Sequence, residues 1–191
     1  MEEVLQRALE AKMKDVYDIV YIGRMSEQKN PIRMVEILKK VIEKNPDIQC
    51  ALMGDGPLFD DLQFRINEYG LQDNIHMLGF INNPFGILSK AKVFLMTSKH
   101  EGTPMVALEA QTLGKPIVST PVDGLLDIII NDENGFLSND DNELVEVLIK
   151  IVKEDKYQKK LEENSRKVSI RINDCKEYKE RLLKLYKEVL E

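Results

Sequence analysis

The sequence has few cysteines, no excess of basic residues and no long apolar run, and each of these absences excludes a class of protein. Its two cysteines, Cys50 and Cys175, stand in an apolar run and in a charged helical segment, with no second ligand pair for zinc. No apolar run reaches the ~18 residues that a membrane-spanning helix needs. The acidic start, MEEVLQRALEAK, resembles neither a signal peptide nor a membrane segment. We therefore expect a protein of the reduced, cytoplasmic interior.

The charge balance limits the partners. A formal net charge of -6 lacks the basic face that binds a nucleic-acid backbone, although a small local anion site is compatible with it. With 43% hydrophobic and 31% charged residues, the chain has the composition of a soluble globular protein, and 191 residues suffice for one well-buried domain. We expect no nucleic-acid partner.

Short apolar runs alternate with helix-length amphipathic segments, and Gly, Pro, Asn or Asp stands at each junction. Because parallel strands need helical crossovers, this rhythm predicts an α/β fold: a Rossmann-like, doubly wound parallel sheet of about six strands. The predicted strands are residues 18–23, 48–54, 74–80, 92–98, 115–120 and 135–138. The predicted helices are residues 31–44, 58–69, 104–113, 125–131 and 143–153, with a short one after Pro84.

These elements divide the chain into three predicted parts. Residues 18–154 form the Rossmann-like domain, and residues 1–17 precede it as an N-terminal segment. Residues 155–191 carry helical patterns without a further strand. Tyr178, Leu182, Leu185 and Val189 repeat at helical spacing there, which predicts a face that packs either on this domain or on a missing partner domain.

Ligands of open parallel sheets bind at the carboxyl ends of the strands, where cations and glycines follow the first two predicted strands. GRMSEQKN places Gly23, Arg24 and Lys29 after the first strand. An arginine fork and a lysine point charge can neutralise a diphosphate, although two solvated loop charges would give the same pattern. GDGP (54–57) is interpreted as a tight turn with glycines at positive φ rather than as a dinucleotide fingerprint.

The stretch SKHEGTPMVALEAQTLGKPIVST (98–120) carries the more specific pattern, two glutamates at the start of a helix. The first amides of that helix, around Met105 to Ala107, are expected to be unpaired and to attract an anion. Helix geometry separates Glu101 from Glu109 by roughly 8–12 Å, so a diphosphate between them would leave one carboxylate for a ribose and the other for a hexose. The alternatives are a helix-dipole carboxylate for Glu101 and a solvent-facing helix residue for Glu109. The predicted anion site comprises Gly102, Thr103, Pro104, Met105 and Val106.

Taken together, these residues resemble the retaining glycosyltransferases of the GT-B fold, a family-4-like group with a Glu-x7-Glu motif. The resemblance covers residues 18 to about 152. It rests on Gly23-Arg24, on Lys29, on the GDGP and LGF segments, and on the two glutamates.

The resemblance implies roles for individual residues. Arg24 and Lys29 would bind the donor diphosphate and stabilise charge on the leaving phosphate. Glu101 would hold hydroxyls of the transferred sugar, with the Gly102 amide nearby, and Glu109 would hold the ribose. Phe80 would lie near the base, with a core aromatic as the alternative.

The resemblance also implies a hexosyltransferase reaction that needs neither cofactor nor metal. The donor would be a nucleotide-diphosphate sugar, with UDP favoured as the commonest nucleotide in such a family. No Asp-x-Asp motif stands in a suitable loop. The family's Gly-Gly after the fifth strand is Asp123-Gly124 here, and its later Glu is Asp127. His100 is interpreted as an edge residue and His76 as structural.

GT-B enzymes have two Rossmann-like domains, and this sequence matches only the second. The first domain would bind a polysaccharide or glycolipid acceptor, so we expect an excised donor domain or a split subunit that is inactive or weakly active alone. Membrane contact, peripheral at the inner face, would belong to the full-length enzyme. The alternatives are a non-catalytic sugar-nucleotide-binding module and an NAD-dependent enzyme, against which the absence of a full G-x-G-x-x-G counts.

Overall fold

A six-stranded, fully parallel sheet with helices on both sides forms the protein, as the βα rhythm predicts. The computed structural model describes residues 1–10 and 16–172. The strands are β1 (Ile19–Ile22), β2 (Cys50–Met53), β3 (Ile75–Gly79), β4 (Val93–Met96), β5 (Ile117–Ser119) and β6 (Gly135–Leu137). The helices are α1 (Glu2–Glu10), α2 (Pro31–Lys44), α3 (Phe59–Glu68), α4 (Phe85–Lys90), α5 (Met105–Thr112), α6 (Asp123–Leu126), α7 (Asp141–Lys153) and α8 (Asp155–Ile172).

The strand order is β3-β2-β1-β4-β5-β6, so the direction of winding reverses between β1 and β4. β1 pairs with β2 on one side and with β4 on the other, with Ile19 opposite Cys50 and Val93. The first half of the chain therefore builds one half of the sheet, and the second half builds the other. In this architecture the reversal opens a crevice between the loops that follow β1 and β4.

Both faces of the sheet are buried, because successive side chains of a strand point to opposite faces. In β1, Ile19 and Tyr21 belong to a core with α2, α3 and α7, whereas Val20 belongs to a core with α4, α5 and α6. In β4, Val93 faces the first core and Phe94 the second. The central strands accordingly read as continuous apolar runs.

Helix boundaries follow local chemistry in most places. Pro31 opens α2, where its missing N–H and fixed φ suit the first turn. Asp140 caps α7 by accepting a hydrogen bond from the Asn142 amide at 2.8 Å. The prediction for residues 125–131 is wrong, because the helix there is the single turn α6, Asp123–Leu126. The chain after it is held instead by Asn134, which accepts from the Ile130 amide and donates to the Ile128 carbonyl.

Helices at both ends of the described chain pack on this domain. The sequence predicted no element in residues 1–17, yet α1 forms and packs on α4 and α5. α8 packs on α5 and α7. It is tied to the sheet through Lys115, only 5% exposed, which donates to the Ala91 carbonyl and pairs with Glu162, both at 2.8 Å. The face predicted in residues 175–191 lies outside the described residues, and the domain boundaries remain a prediction.

Within residues 1–10 and 16–172, no helix is both long enough and apolar enough to cross a membrane.

Candidate functional site

The loops that follow β1 and β4 meet at the crevice where the sheet reverses direction. The Lys99 amide donates to the Gln28 carbonyl at 2.8 Å, and the Gln28 side-chain amide donates to the His100 carbonyl at 3.2 Å. The Thr97 hydroxyl, at the end of β4, donates to the carbonyls of Lys29 and Asn30. These bonds fix residues of one loop against residues of the other across more than 60 positions of sequence.

An ion pair between Lys29 and Glu101 occupies this crevice. Lys29 Nζ lies 2.5 Å from Glu101 Oε1, and the Ser98 hydroxyl donates to the same oxygen at 2.6 Å. The side chain of Glu101 is only 7% exposed and that of Lys29 is 23% exposed. The interpretation of Lys29 as a solvated loop charge is therefore wrong. The partners of Glu101 are side chains, which excludes a simple helix-dipole role.

The two bonds of Glu101 share one oxygen, and this leaves the other oxygen available. Among the described residues, Glu101 Oε2 has no hydrogen-bond partner. A carboxylate oxygen accepts hydrogen bonds from hydroxyl groups, so Oε2 can bind a diol while Oε1 remains fixed by Lys29 and Ser98. The arrangement presents a fixed acceptor in a largely buried setting.

A cavity of about 600 Å³ lies at the same edge of the sheet, over the ends of β1, β2 and β3. Gly23 and Arg24 line it from the first loop, Asp55 from the second, and Phe80 and Pro84 from the third. Phe80 is 77% exposed, so the core-aromatic interpretation is wrong. Lys29, Glu101 and Glu109 are not among the lining residues. The sequence-predicted residues thus fall into two groups, the cavity and the ion-pair crevice.

Arg24 is exposed, and its side chain forms no hydrogen bond or ion pair with any residue in the described ranges. Its backbone is fixed, because the Tyr21 hydroxyl donates to the Arg24 carbonyl at 3.2 Å. Burial raises the pKa of Tyr21, with a further contribution from the Glu101 charge, so this phenol stays protonated and can donate. Arg24 is a cation on a fixed backbone at the mouth of the cavity.

The two glycines of GDGP bring the loops after β1 and β2 into contact. Gly54 and Gly56 adopt φ of 137° and 153°. A Cβ on Gly54 would lie 1.9 Å from the Gly23 carbonyl oxygen, and one on Gly56 would lie 2.5 Å from that of Met25. The tight-turn interpretation is confirmed, and the close approach shapes the cavity floor.

At the start of α5, where the sequence predicts an anion site, the structure shows which backbone amides lack a partner, and one amide differs from the prediction. Pro104 precedes the helix, and the amides of Met105 and Val106 donate to none of the residues that the structure describes. The Ala107 amide, which was expected to be unpaired, donates to the Pro104 carbonyl at 2.9 Å because the first turn is tight. Two amides rather than three are available at this end of α5 for an anion.

Gly102 and Thr103 lead into this helix and are exposed, and the turn after β5 supports them. Gly124, the glycine of Asp123-Gly124, approaches so closely that a Cβ on it would lie 1.8 Å from the Gly102 carbonyl oxygen and 2.6 Å from Pro104 Cδ. A substitution at Gly124 must therefore displace the predicted anion site.

Glu109 lies one helical turn beyond that site, half-buried on α5. Burial raises the pKa of its carboxyl group above the ordinary glutamate value, and the positive charge of Arg7 on α1 partly opposes this. The purely solvent-facing interpretation therefore does not hold. The neighbouring cation is one that sequence reasoning did not associate with the site.

The raised pKa makes Glu109 a destabilising charge at neutral pH. Below the ordinary glutamate pKa of about 4.3 the carboxyl group is protonated in both folded and unfolded chains, and the destabilisation is absent. It develops as the pH rises from that value through the higher folded pKa. Glu109→Gln is therefore expected to raise the free energy of unfolding near neutral pH and to change it little at acidic pH. Urea unfolding at two pH values measures this.

Glu163→Gln provides the control of opposite sign, because Lys167 lowers the pKa of the exposed Glu163. This substitution is expected to reduce stability slightly at neutral pH. Equal effects of the two substitutions at neutral pH would contradict the assignment of burial as the cause at Glu109.

Several residues of this region were missed by sequence reasoning. Thr97 and Ser98 directly follow a buried strand at its carboxyl end, and that position was a usable signal. No sequence signal pointed to Arg7, because the residues with which it forms hydrogen bonds are about 75 positions away in the chain. His76 bonds to Gln49 at 2.8 Å, and its ring lies 5.4 Å from the Tyr17 ring at an interplanar angle of 55°, which fits the predicted structural role.

No group of three or more His, Cys, Asp or Glu side chains that could hold a metal ion occurs in residues 1–10 and 16–172.

Comparison with known proteins places this architecture in a family. The family model described as Glycosyl transferases group 1 matches residues 4–168. The chain is 33% identical over 150 residues to UDP-Gal:alpha-D-GlcNAc-diphosphoundecaprenol alpha-1,3-galactosyltransferase of Escherichia coli, covering 76% of this chain and 38% of that protein. It spans about a third of the length of the curated relatives that match it first.

Solved structures agree on the fold. A Staphylococcus aureus TarM variant in complex with Fondaparinux, alpha-GlcNAc-glycerol and UDP superposes with a TM-score of 0.82 at 23% identity, over 92% of this chain and 36% of that chain. The C-terminal domain of a glycosyl transferase group 1 family protein from Francisella tularensis superposes with a TM-score of 0.73 at 22% identity. The match covers 88% of this chain and 91% of that chain. The predicted GT-B resemblance is confirmed, and the chain belongs to the Glycosyl transferases group 1 family.

Proposed function

We propose that this chain is the donor-binding half of a hexosyltransferase. It binds a nucleotide-diphosphate sugar, with UDP as the favoured nucleotide, and needs no metal for binding or transfer. The hexose passes with retention of configuration to a polysaccharide or glycolipid acceptor held by a second domain. Retention follows from the family resemblance rather than from a distance in the site. UDP is favoured because the E. coli relative is named for UDP-Gal and the TarM structure contains UDP.

The observation that carries the proposal is the Lys29–Glu101 pair in the crevice between β1 and β4. Ligands of this architecture bind where the strand order reverses. The pair supplies a cation for a phosphate and, at Glu101 Oε2, an acceptor for sugar hydroxyls. A donor that joins a phosphate to a sugar matches both halves of the pair.

The remaining features fit the rest of such a donor. The cavity extends from Arg24 to Phe80 and offers both a cation and an aromatic face, as a nucleoside diphosphate requires. Met105 and Val106 present backbone amides at the positive end of a helix dipole, and no residue in the described part of the chain accepts from them. During transfer the acceptor hydroxyl oxygen bonds to the anomeric carbon while the bond between that carbon and the phosphate oxygen breaks. Negative charge grows on the phosphate oxygen, which can take up the proton that the acceptor hydroxyl loses. Fixed cations and amides stabilise this charge as it develops.

Because the chain spans about a third of its relatives, the acceptor site is assigned to a second domain. Closure of two domains excludes water from the reacting groups, so the isolated chain is expected to bind donor and to transfer weakly or not at all.

Calorimetric titration with UDP-, GDP- and ADP-sugars, with and without EDTA, tests the proposal. We expect one nucleotide to bind equally well in EDTA, and Glu109→Ala to weaken binding by about 1–3 kcal/mol, the effect of losing a hydrogen bond to a charged group. Glu68→Ala removes an exposed carboxylate at the end of α3 and serves as control. Absence of binding by every nucleotide at millimolar concentration, or loss of binding in EDTA, would contradict the proposal.

A further inference from the structure

Helix α1 lies outside the predicted donor domain, yet one of its side chains contacts the cavity wall. The guanidinium of Arg7 donates to the Asn82 carbonyl at 2.8 Å, and the Asn83 side-chain amide donates back to the Arg7 carbonyl at 2.8 Å. The Arg7 guanidinium also lies 4.7 Å from the centre of the Phe85 ring. Two of these contacts join Arg7 to a short stretch of chain, and the third joins it to Phe85, the first residue of α4.

That stretch, residues 80–84, is the wall segment of the cavity between β3 and α4. Phe80, Asn82 and Pro84 all line the cavity. The segment has no regular secondary structure. Across the described residues, no amide or carbonyl of residues 80–83 takes part in a backbone hydrogen bond, and the carbonyl of Asn82 has Arg7 as its partner. The position of the wall segment therefore depends on side-chain contacts, and Arg7 makes two of them.

Arg7 acts on a second part of the predicted site. Its charge is the one that opposes the effect of burial on the Glu109 carboxyl group. Val4 and Ala8 of the same helix pack on the core that contains Ala107 and Ala110 of α5. One side chain thus stands between the wall segment and the helix that carries the predicted ribose ligand.

We propose that Arg7 is a positioning residue of the donor site, which fixes the wall segment of the cavity relative to α5. The assignment rests on the proposed function, since it concerns the same donor. Arg7 does not touch the donor. It acts through the Asn82 carbonyl and through Phe85, and the part of the donor that depends on it is the nucleoside, which lies against Phe80 in the proposed function.

A purely structural role for Arg7 would have different consequences. If Arg7 only held α1 on the domain, its loss would lower stability and leave the relative affinities of donor fragments unchanged. A positioning role weakens ligands that contain the nucleoside and spares inorganic pyrophosphate, which binds at the crevice and the α5 amides. The ratio of the affinities for UDP and for pyrophosphate therefore distinguishes a positioning role from a purely structural one.

The test uses the full chain and the variants Arg7→Ala, Arg7→Lys and Gln6→Ala. Gln6 is the matched control, because it is exposed on the same helix and bonds within the helix to Glu10. Calorimetry measures binding of UDP and of inorganic pyrophosphate, and thermal unfolding measures stability. We expect Arg7→Ala to weaken UDP about five- to tenfold, less than the loss of a charged hydrogen bond made directly to the donor because Arg7 acts through the wall segment, with less than about twofold change for pyrophosphate. Arg7→Lys keeps a donor and a charge and is expected to recover part of the loss.

Two results would contradict the positioning role of Arg7 and leave the proposed function intact. In the first, Arg7→Ala binds UDP as tightly as the parent chain and Gln6→Ala do, while Glu109→Ala binds UDP more weakly. The other is an equal loss for UDP and pyrophosphate with a lowered unfolding temperature. If the parent chain bound no nucleotide, the proposed function itself would fail, and the positioning role would fail with it.

Discussion

Lys29→Ala is expected to weaken donor binding about 10- to 150-fold, the equivalent of one hydrogen bond between charged groups. The same change leaves the Glu101 carboxylate, only 7% exposed, without its cation. Removing one partner of a buried ion pair costs about 3–5 kcal/mol, and we expect about 2–4 kcal/mol here because Ser98 still donates to Glu101 Oε1. Urea unfolding and calorimetry with the donor nucleotide measure the two effects.

Lys99→Ala is the matched control for Lys29→Ala. Lys99 pairs with Glu27 at 3.0 Å, so this bridge joins the same two loops, but its side chains are 50% and 75% exposed. Exposed pairs contribute at most about 1 kcal/mol, because solvent screens them. Both variants remove a lysine that joins the two loops, so any difference between them reports the burial and position of the Lys29–Glu101 pair. Similar losses of stability and affinity in both variants would show that the Lys29–Glu101 pair has no special role.

Gly124→Ala is expected to have the second large effect, because its new Cβ would overlap the backbone at Gly102 and the ring of Pro104. Backbone atoms cannot rotate away as a side chain can, so the segment that precedes α5 must shift. We expect a loss of about 1–3 kcal/mol in stability, typical of overpacking, and weaker donor binding because the amides of Met105 and Val106 move with that segment. Unfolding and calorimetry again measure both.

Gly102→Ala is the control for Gly124→Ala, because Gly102 is the residue that Gly124 approaches. Within residues 1–10 and 16–172, a Cβ on Gly102 meets nothing within 4 Å, and the residue keeps its backbone amide. This substitution is expected to leave stability within about 0.5 kcal/mol, as for ordinary surface changes. A tolerated Gly124→Ala, with stability like that of Gly102→Ala and donor affinity like that of the parent chain, would contradict the close approach.

Most of the fold could be predicted from local pattern. Apolar runs bounded by turn residues predicted six strands, and all six form within a few positions of the predicted bounds. The helices predicted for residues 31–44 and 143–153 form at those places, and their starts follow local chemistry, because the fixed φ of Pro31 and amide capping by Asp140 are properties of the residue itself. The helix of residues 125–131 was predicted wrongly, since its apolar pattern suited a helix while Asn134 offered the backbone other partners.

The candidate site was predictable in part for the same reason. Gly23, Arg24 and Phe80 were placed at the carboxyl edge by strand order along the chain, and they line one cavity. Glu101 and Lys29 were assigned separately, to sugar and to phosphate, although they bind each other. No local pattern reports a contact between residues 72 positions apart.

The sequence by itself determined that this chain forms a parallel α/β sheet, which residues follow its strands, and where a helix presents unpaired amides. These depend on periodicity, turn chemistry and backbone sterics, which act over a few residues. Only the tertiary structure decided the strand order, the pairing of Lys29 with Glu101, the approach of Gly124 to Gly102, and the contact of Arg7 with the wall segment. Those arrangements depend on which distant surfaces pack together, and the packing energy belongs to the folded whole rather than to any stretch of chain.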